Sequence, residues 1–461
     1  MADSTKKQTF ERHPDAAGKV ERWEFLERSY AGGAEYKEGA YLVQHERESN
    51  AGFKRRVEQA MFVNLCAPVV DLYNGYLYQP EHKRSFNNLG KNKLFLNFLE
   101  NVDFDNHDYD SYIEQLSLRA SVFGFVGVVI DKPSEATAAT LQQQIDQDLR
   151  PYLIYYEPEA IFDWTRTVIA GRRVLTRLVL LEESGKKGVT RYKVWTRTDW
   201  KVYEQKDREE AKATGEEGKN PLGEIPFVIM PNNSPLGEAP SSDLKDISDV
   251  NREIYYIDSL GHEIMEGTAF PMLEMYTSPN PLGKDQGDVE TGVGSLLERD
   301  PNDTVGARWV EPPHTSLPHM LAWREKYIEN IREIAKTNSQ QSTGQAQSGE
   351  ALKVRLRALT TILTNKATAR EQAEMNICRL WALWEGIKSD VEIRYERKFN
   401  VDDLAAEIDM AIAARSAVPS KTFANLQGMQ IVEKVIEDLS EEDREKIKQE
   451  LATPPSSFGS E

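Results

Sequence analysis

Residues 350–385 contain neither glycine nor proline, and Leu352, Leu356, Leu359, Leu363, Ile377, Leu380, Trp381 and Trp384 recur along them at helical spacing. A single helix on the order of 50 Å long accounts for that pattern. A rod of this length predicts a spine on which other elements are arranged. The stretch just before it, "TNSQQSTGQAQS" (337–348), is of the opposite kind, with amides, hydroxyls and a glycine and no charge. That composition suits a solvated connection between two helices.

Two more helices bracket a segment of different character. "PSSDLKDISDVNREIYYIDSLGHEIMEG" (240–267) opens on a Ser-Ser-Asp capping signal and carries Leu244, Ile247, Ile254, Ile257 and Ile264. It predicts a helix from Asp243 to Glu266, roughly 30 Å long. "LPHMLAWREKYIENIREIAKT" (317–337) places Met320, Tyr327, Ile331 and Ile334 on one face. Between them lies a Pro- and Gly-rich stretch with weak strand signals in "FPMLEMY" (270–276) and "ARWVEPP" (307–313), which reads as a small β-containing module.

Upstream, Val57, Met61, Leu65 and Val69 predict a helix from about Ala51, which Pro68 either kinks or restarts. "NVDFDNHDYDSYIEQLSLRASVFGFVGVVIDKP" (101–133) predicts an acidic loop, a helix from about Asp110 and a buried strand closed by Asp131, Lys132 and Pro133. Four β-rich runs follow between 151 and 229: "PYLIYYEP", "RRVLTRLVLLEE", "RYKVWTRTDWKVYEQ" and "IPFVIM". They suggest a meander within a mixed α/β region. "SDVEIRYERKF" (389–399) reads as a strand, 402 onward as acidic helix with 13 Asp/Glu against 6 Lys/Arg over 401–461, and "TPPSSFGSE" (453–461) as disordered.

With 461 residues the chain has room for two to four domain-sized units. Its net charge of -18 opposes firm general binding to nucleic acid. The two cysteines, Cys66 and Cys378, lie far apart and outside any metal-ligand spacing, which predicts buried reduced thiols. The N-terminus lacks the apolar core of a secretory signal, and the longest strongly apolar run, "VFGFVGVVI" (122–130), is half the length of a membrane span. No membrane contact is therefore expected, and the composition is that of a soluble protein.

Candidate chemistry is sparse. No phosphate-binding G-x-x-x-x-G-K-[ST] loop occurs, which argues against ATP-driven work by this chain. "DFDNHDYDSYIE" sets Asp103, Asp105 and Glu114 at EF-hand positions, but Asp108 stands where the loop requires glycine, so capping of the following helix is the better reading. The seven histidines (His13, His45, His82, His107, His262, His314, His319) form no ligand pair. Glu157 with Glu159 and Glu182 with Glu183 read as solvated carboxylates rather than an acid-base couple. Trp195, Trp200, Trp381 and Trp384 suit packing better than base stacking. Neither a catalytic residue, a cofactor nor a metal site is expected.

Taken together, "RPYLIYYEPEAIFDW" (150–164), "PLGEIPFVIMPNN" (221–233), "SSDLKDISDVNREIYYIDSLGHEIM" (241–265) and "QSGEALKVRL" (347–356) resemble, in content and order, the portal proteins of tailed double-stranded DNA bacteriophages. The resemblance spans roughly 41–426. It implies an α+β portal fold: an N-terminal wing (1–240), a first stem helix (241–267), a clip (268–316), a second stem helix (317–336), a tunnel loop (337–348), a wing spine helix and strand (349–400), and a crown with tail (401–461). It implies further a ring of twelve copies at one capsid vertex of the virion, assembled in the host bacterial cytoplasm. DNA would be packaged through that ring by the large terminase subunit and later ejected. The head-to-tail adaptor, the major capsid protein and the scaffold would be its other partners, and DNA would pass without sequence recognition. In the tunnel loop Asn338, Ser339, Gln340, Gln341, Ser342, Thr343, Gln345 and Gln347 would face DNA, and Lys326, Arg332 and Lys336 are channel-lining candidates on the second stem helix. The alternatives are another head-tail connector or minor capsid protein, for which the chain is long, and a soluble hydrolase, for which it lacks a motif.

Overall fold

The computed structural model describes residues 9–80, 82–133, 141–183, 188–206, 209–233, 240–269, 272–276, 296–299, 308–310, 316–337, 349–397 and 446–447. The chain divides into two compact units, Met1–Phe399 and Asn400–Glu461. Only Lys446 and Ile447, both helical, are described in the second. The predicted crown and the C-terminal tail therefore lie outside the described residues.

In the first unit the chain runs α1 (Pro14–Ala17), α2 (Val20–Ala31), α3 (Gly33–Glu38), α4 (Asn50–Gln59), α5 (Ala67–Tyr78), β1 (Lys83–Ser85), α6 (Lys93–Glu100), α7 (Tyr109–Phe123), β2 (Phe125–Asp131), α8 (Leu141–Asp146) and β3 (Tyr152–Tyr156). The meander β4 (Ile161–Ile169), β5 (Arg172–Glu182), β6 (Val189–Thr196), β7 (Asp199–Lys206) and β8 (Lys212–Lys219) follows, then β9 (Phe227–Pro231) and α9 (Ile247–Ala269). Next come β10 (Met272–Tyr276), β11 (Leu296–Arg299), β12 (Arg308–Val310), α10 (Leu317–Ile334), α11 (Gly349–Trp384) and β13 (Glu392–Arg394). The class is α+β.

The spine is present as expected. At 36 residues α11 is about 54 Å long. It ends on a glycine cap: Gly386 has φ +66°, its N–H bonds the Leu383 carbonyl, and the Ile387 N–H reaches back to the Ala382 carbonyl. Those two bonds satisfy carbonyls the last turn would leave open. Its buried stripe, Leu359, Leu363, Ile377, Leu380 and Trp381, packs into a core shared with α5, α6, α7, β2 and β9. Trp381 meets the Phe95 ring edge-on at 4.8 Å, and the Trp384 indole N–H donates to the Ile130 carbonyl at 2.8 Å. Both rings are structural, as is Trp195, fully buried in the meander and set against Trp200 at 6.2 Å.

The 51–69 stretch departs from its predicted helix. α4 stops at Gln59, and 60–66 form a non-helical connection, with Met61 73% exposed. Asn251 of α9 holds this piece, accepting from the Leu65 N–H at 2.9 Å and donating to the Val63 carbonyl at 3.0 Å. Pro68 then opens α5, where its missing N–H costs nothing. α7 fits its expectation: Asp108 caps it by accepting from the Ser111 N–H, and Gly124, at φ +98°, turns the chain into β2. A Cβ at Gly124 would stand 2.9 Å from the Pro240 carbonyl oxygen, so a side chain cannot enter there.

β2 is the centre of an antiparallel three-stranded sheet, order β3-β2-β9, and β4 to β8 pair in sequence order, each antiparallel to the next. β8, "KATGEEGK", has no apolar alternation and escaped the sequence reading; it is an edge strand set by pairing with β7. β1 and β13 pair antiparallel across 300 residues of sequence, and β10 pairs parallel to β11 and antiparallel to β12. Both weak strand signals between the two helices thus fall on strands. Among the described residues no helix is long and apolar enough to cross a membrane.

Candidate functional site

α9 and α10 leave and return side by side around the three-stranded β10–β12 sheet, joined by an ion pair between Arg324 and Asp258 at 2.6 Å. α9 begins at Ile247 rather than Asp243. Residues 243–246 form a turn because the Ser242 hydroxyl accepts from the Leu244 N–H and the Asp243 N–H is spent on the Ser121 carbonyl. A second clamp comes from Arg56, 2% exposed, which donates to Ser259 at 2.9 Å, to the Val43 carbonyl at 2.8 Å and to both Glu48 oxygens.

The return helix ends at a fixed point. Ile331 and Ala335 are buried, and the Tyr73 hydroxyl donates to the Ala335 carbonyl. Lys336 takes the left-handed conformation at φ +56°, and the Thr337 N–H closes onto the Arg332 carbonyl at 3.0 Å. From there the chain enters 338–348, so Asn338, Ser339, Gln340, Gln341, Ser342, Thr343, Gln345 and Gln347 lie outside the described residues. Of the predicted stem cations, Lys326 is exposed, 4.7 Å from the Trp323 ring centre, and Arg332 is half-buried, 3.9 Å from Glu325. Arg332 lies in the last turn of α10 and exposed Lys336 just beyond its end, whereas Lys326 is roughly 120° round the helix from Arg332.

Across the polar connection, α11 carries a feature the sequence reading missed. Lys366, Arg370 and Glu374 are all 2% exposed or less. The Lys366 ammonium donates to Ser121 Oγ, Asn232 Oδ1 and Asp243 Oδ2. Arg370 donates to Ser117 Oγ at 2.9 Å, to the Ser117 carbonyl and to the Pro231 carbonyl. Glu374 accepts from Arg84 Nε at 2.7 Å and from the Tyr395 hydroxyl. Burial pushes the Lys366 ammonium down to about 8, against the opposing pull of Asp243, and pushes the Arg370 guanidinium down as well. The signal was in the spacing. Positions 359, 363, 366, 370, 374, 377 and 381 form one continuous helical stripe, so three charged residues occupy places the apolar pattern reserves for the core. This ladder fastens α11 to α7, to the end of β9 and to the turn that starts α9.

The remaining sequence candidates scatter. Asp103 bonds the Asp105 N–H and the His107 ring, while Asp108 caps α7, as helix capping requires. Glu157 pairs with Arg119, and Glu182 with Arg191. Cys66 and Cys378 are buried free thiols, each pushed up to about 12 by burial. Among the described residues no three His, Cys, Asp or Glu side chains gather as a metal site would need.

Comparison with known proteins bears on this arrangement. A family model described as "Phage portal protein, SPP1 Gp6-like" matches residues 19–449. No curated protein matches the chain. Among solved structures, a chain of the virion of a native gene transfer agent particle shares 11% identity at a TM-score of 0.43, covering 92% of this chain and 96% of that one. A chain from the neck of the native particle, computed with C12 symmetry, shares 12% identity at the same TM-score and coverage. Likeness that loose carries no argument. The family match does, because it runs through both helices, the β module between them and the spine: the chain belongs to the SPP1 Gp6-like phage portal protein family.

Proposed function

We propose that this chain forms a twelve-membered ring at one capsid vertex, a channel through which double-stranded DNA is packaged by the terminase and later ejected, and to which the head-to-tail adaptor attaches. The observation that carries the reading is the family match over 19–449, laid on an element order of helix, small sheet, helix, polar connection and 36-residue helix. In it α9 and α10 are the stem, 268–316 the clip, 337–348 the tunnel loop, α11 the spine of the wing and 401–461 the crown. The ATP chemistry belongs to the terminase, in keeping with the absence of a phosphate-binding loop motif from the sequence. The site of action is the virion.

The loop chemistry suits a sliding cargo. Each phosphate neutralised by Lys or Arg adds binding free energy through counterion release, and firm binding would stall the strand. Gln340, Gln341 and Gln345 offer uncharged amides instead, and Arg332 and Lys336 at the loop's entrance are the cations placed to meet it. Two measurements test the proposal. Electron microscopy or native mass spectrometry of the purified chain should give rings with a central hole; a monomer under all conditions, capsid and scaffold proteins included, refutes it. Replacing Gln340, Gln341 and Gln345 by Lys should slow packaging or ejection while rings still form, and unchanged rates at low and high salt would take the loop off the DNA path.

A further inference from the structure

The hairpin of β4 and β5 outruns the sheet it belongs to. From Thr165 to Arg173 every side chain is exposed, and the turn is made by Ala170 and Gly171, both at positive φ. Along 165–177, in a chain of net charge -18, there are four arginines and no carboxylate. Arg177 is held by Asp163, but Arg166, Arg172 and Arg173 form no ion pair among the described residues. Interleaved with them are Val168, 65% exposed, and Ile169, 37% exposed, which lie directly across from Arg173 and Arg172. Arginines alone would fit phosphate. Arginines alternating with bare aliphatic side chains fit a protein surface that is both acidic and apolar, since phosphate gives Val168 and Ile169 nothing to bury against.

The same molecule presents a carboxylate cluster elsewhere. Arg119 bridges Glu27 of α2 and Glu157 just before β4, and Glu24 and Glu159 lie near enough to that bridge for their charges to be felt there. Arg119 pairs with Glu27 and Glu157, whereas Glu24 and Glu159 feel the charges of Arg28 and Arg12 without a hydrogen bond or ion pair to their carboxylates among the described residues. Burial and then Glu24 push the Glu159 carboxyl up, and Arg12, which opposes this, donates to the Glu159 main-chain carbonyl instead. A chain cannot satisfy its own cluster with its own hairpin. β4 carries the tip about 25 Å from Ile161, two residues beyond Glu159, at roughly 3.3 Å per residue.

We infer that, in the ring, the arginine-bearing tip around Arg166, Arg172 and Arg173 of one copy docks on the Glu24–Glu159 cluster of the next. The inference rests on the ring reading and supplies its contact. A closed ring needs two different patches on each subunit, one for each neighbour, and these two patches have opposite charge and different places in the fold. Their attraction also offsets part of the repulsion between subunits of like net charge.

Two full-length variants test it: Arg166→Glu/Arg172→Glu/Arg173→Glu, and Glu24→Arg/Glu159→Arg. Each alone should raise the subunit concentration for half-assembly at least tenfold, with the monomer's unfolding transition unchanged. Mixed one to one they should assemble again, because every contact then pairs an arginine patch with a carboxylate patch. Rings that form equally well in both variants overturn the inference and leave the ring reading standing. So does loss of retention of double-stranded DNA by the hairpin variant with rings intact, which would make phosphate the partner. A wild-type chain that never assembles removes the ring reading itself.

Discussion

His82 is the residue with the clearest stake in pH. Its ring stacks on Tyr395 at 3.7 Å and meets the Tyr78 ring edge-on at 5.2 Å, and neither ring nitrogen has a hydrogen-bond partner among the described residues. Burial first, then the neighbouring Arg84 cation, push the imidazole down to about 4, with Glu371 opposing. The unfolded chain takes up this proton near 6.5 and the folded chain only near 4, so the unfolded state binds more protons between those values. The histidine's contribution is therefore whole above about 6.5 and is lost as pH falls toward 4. His82→Leu should narrow the gap between the urea midpoints at pH 7 and pH 4.5, and an unchanged gap would mean that His82 is not the group lost in acid. Nothing in the sequence marks His82 apart from the other six histidines. Its environment comes from Tyr395, more than 300 positions away.

At the scale of elements, the boundaries of α11 were legible to within a residue because they depend on local chemistry: no glycine or proline inside, and a Gly386 cap outside. The partners of α11 were not legible. Lys366 and Asp243 come together only when the spine lies across the turn that opens α9, and the 2% exposure of Lys366 follows from that crossing. Removing the cation strands a carboxylate whose side chain is 9% exposed. Lys366→Ala should cost about 3–5 kcal/mol in urea unfolding. The double variant Lys366→Met/Asp243→Asn should recover a large part of it, since no charge is then buried without its partner. A single variant as stable as wild type would reduce the ladder to an ornament of packing. The helix predicted from about Ala51 through Leu65 breaks after Gln59 for a related reason. Its periodicity is real, but Asn251 offers the non-helical backbone at Val63 and Leu65 two hydrogen bonds, and Pro68 restarts the helix beyond it.

Among the described residues the main hydrophobic core lies within the first unit, from Ala16 to Tyr395. A chain ending at Arg397 should thus keep a single cooperative unfolding transition with a midpoint close to that of the full chain, and loss of that transition would place part of the folding core in 400–461. The sequence by itself determined α7, α9, α10 and α11, most of the strand runs between 151 and 229, the lack of a phosphate-binding motif and the order of segments by which the family could be named, because periodicity, caps and turn residues act over a few positions; α1 to α3, α6, α8 and β4 were not legible in it. Only the tertiary structure decided which charges are buried, that β1 pairs with β13, that β8 is a strand at all, and that a basic hairpin and an acidic cluster stand on different parts of one subunit. Those outcomes depend on contacts between residues tens to hundreds of positions apart, and burial, which sets the strength of each charge, exists only once such contacts have formed.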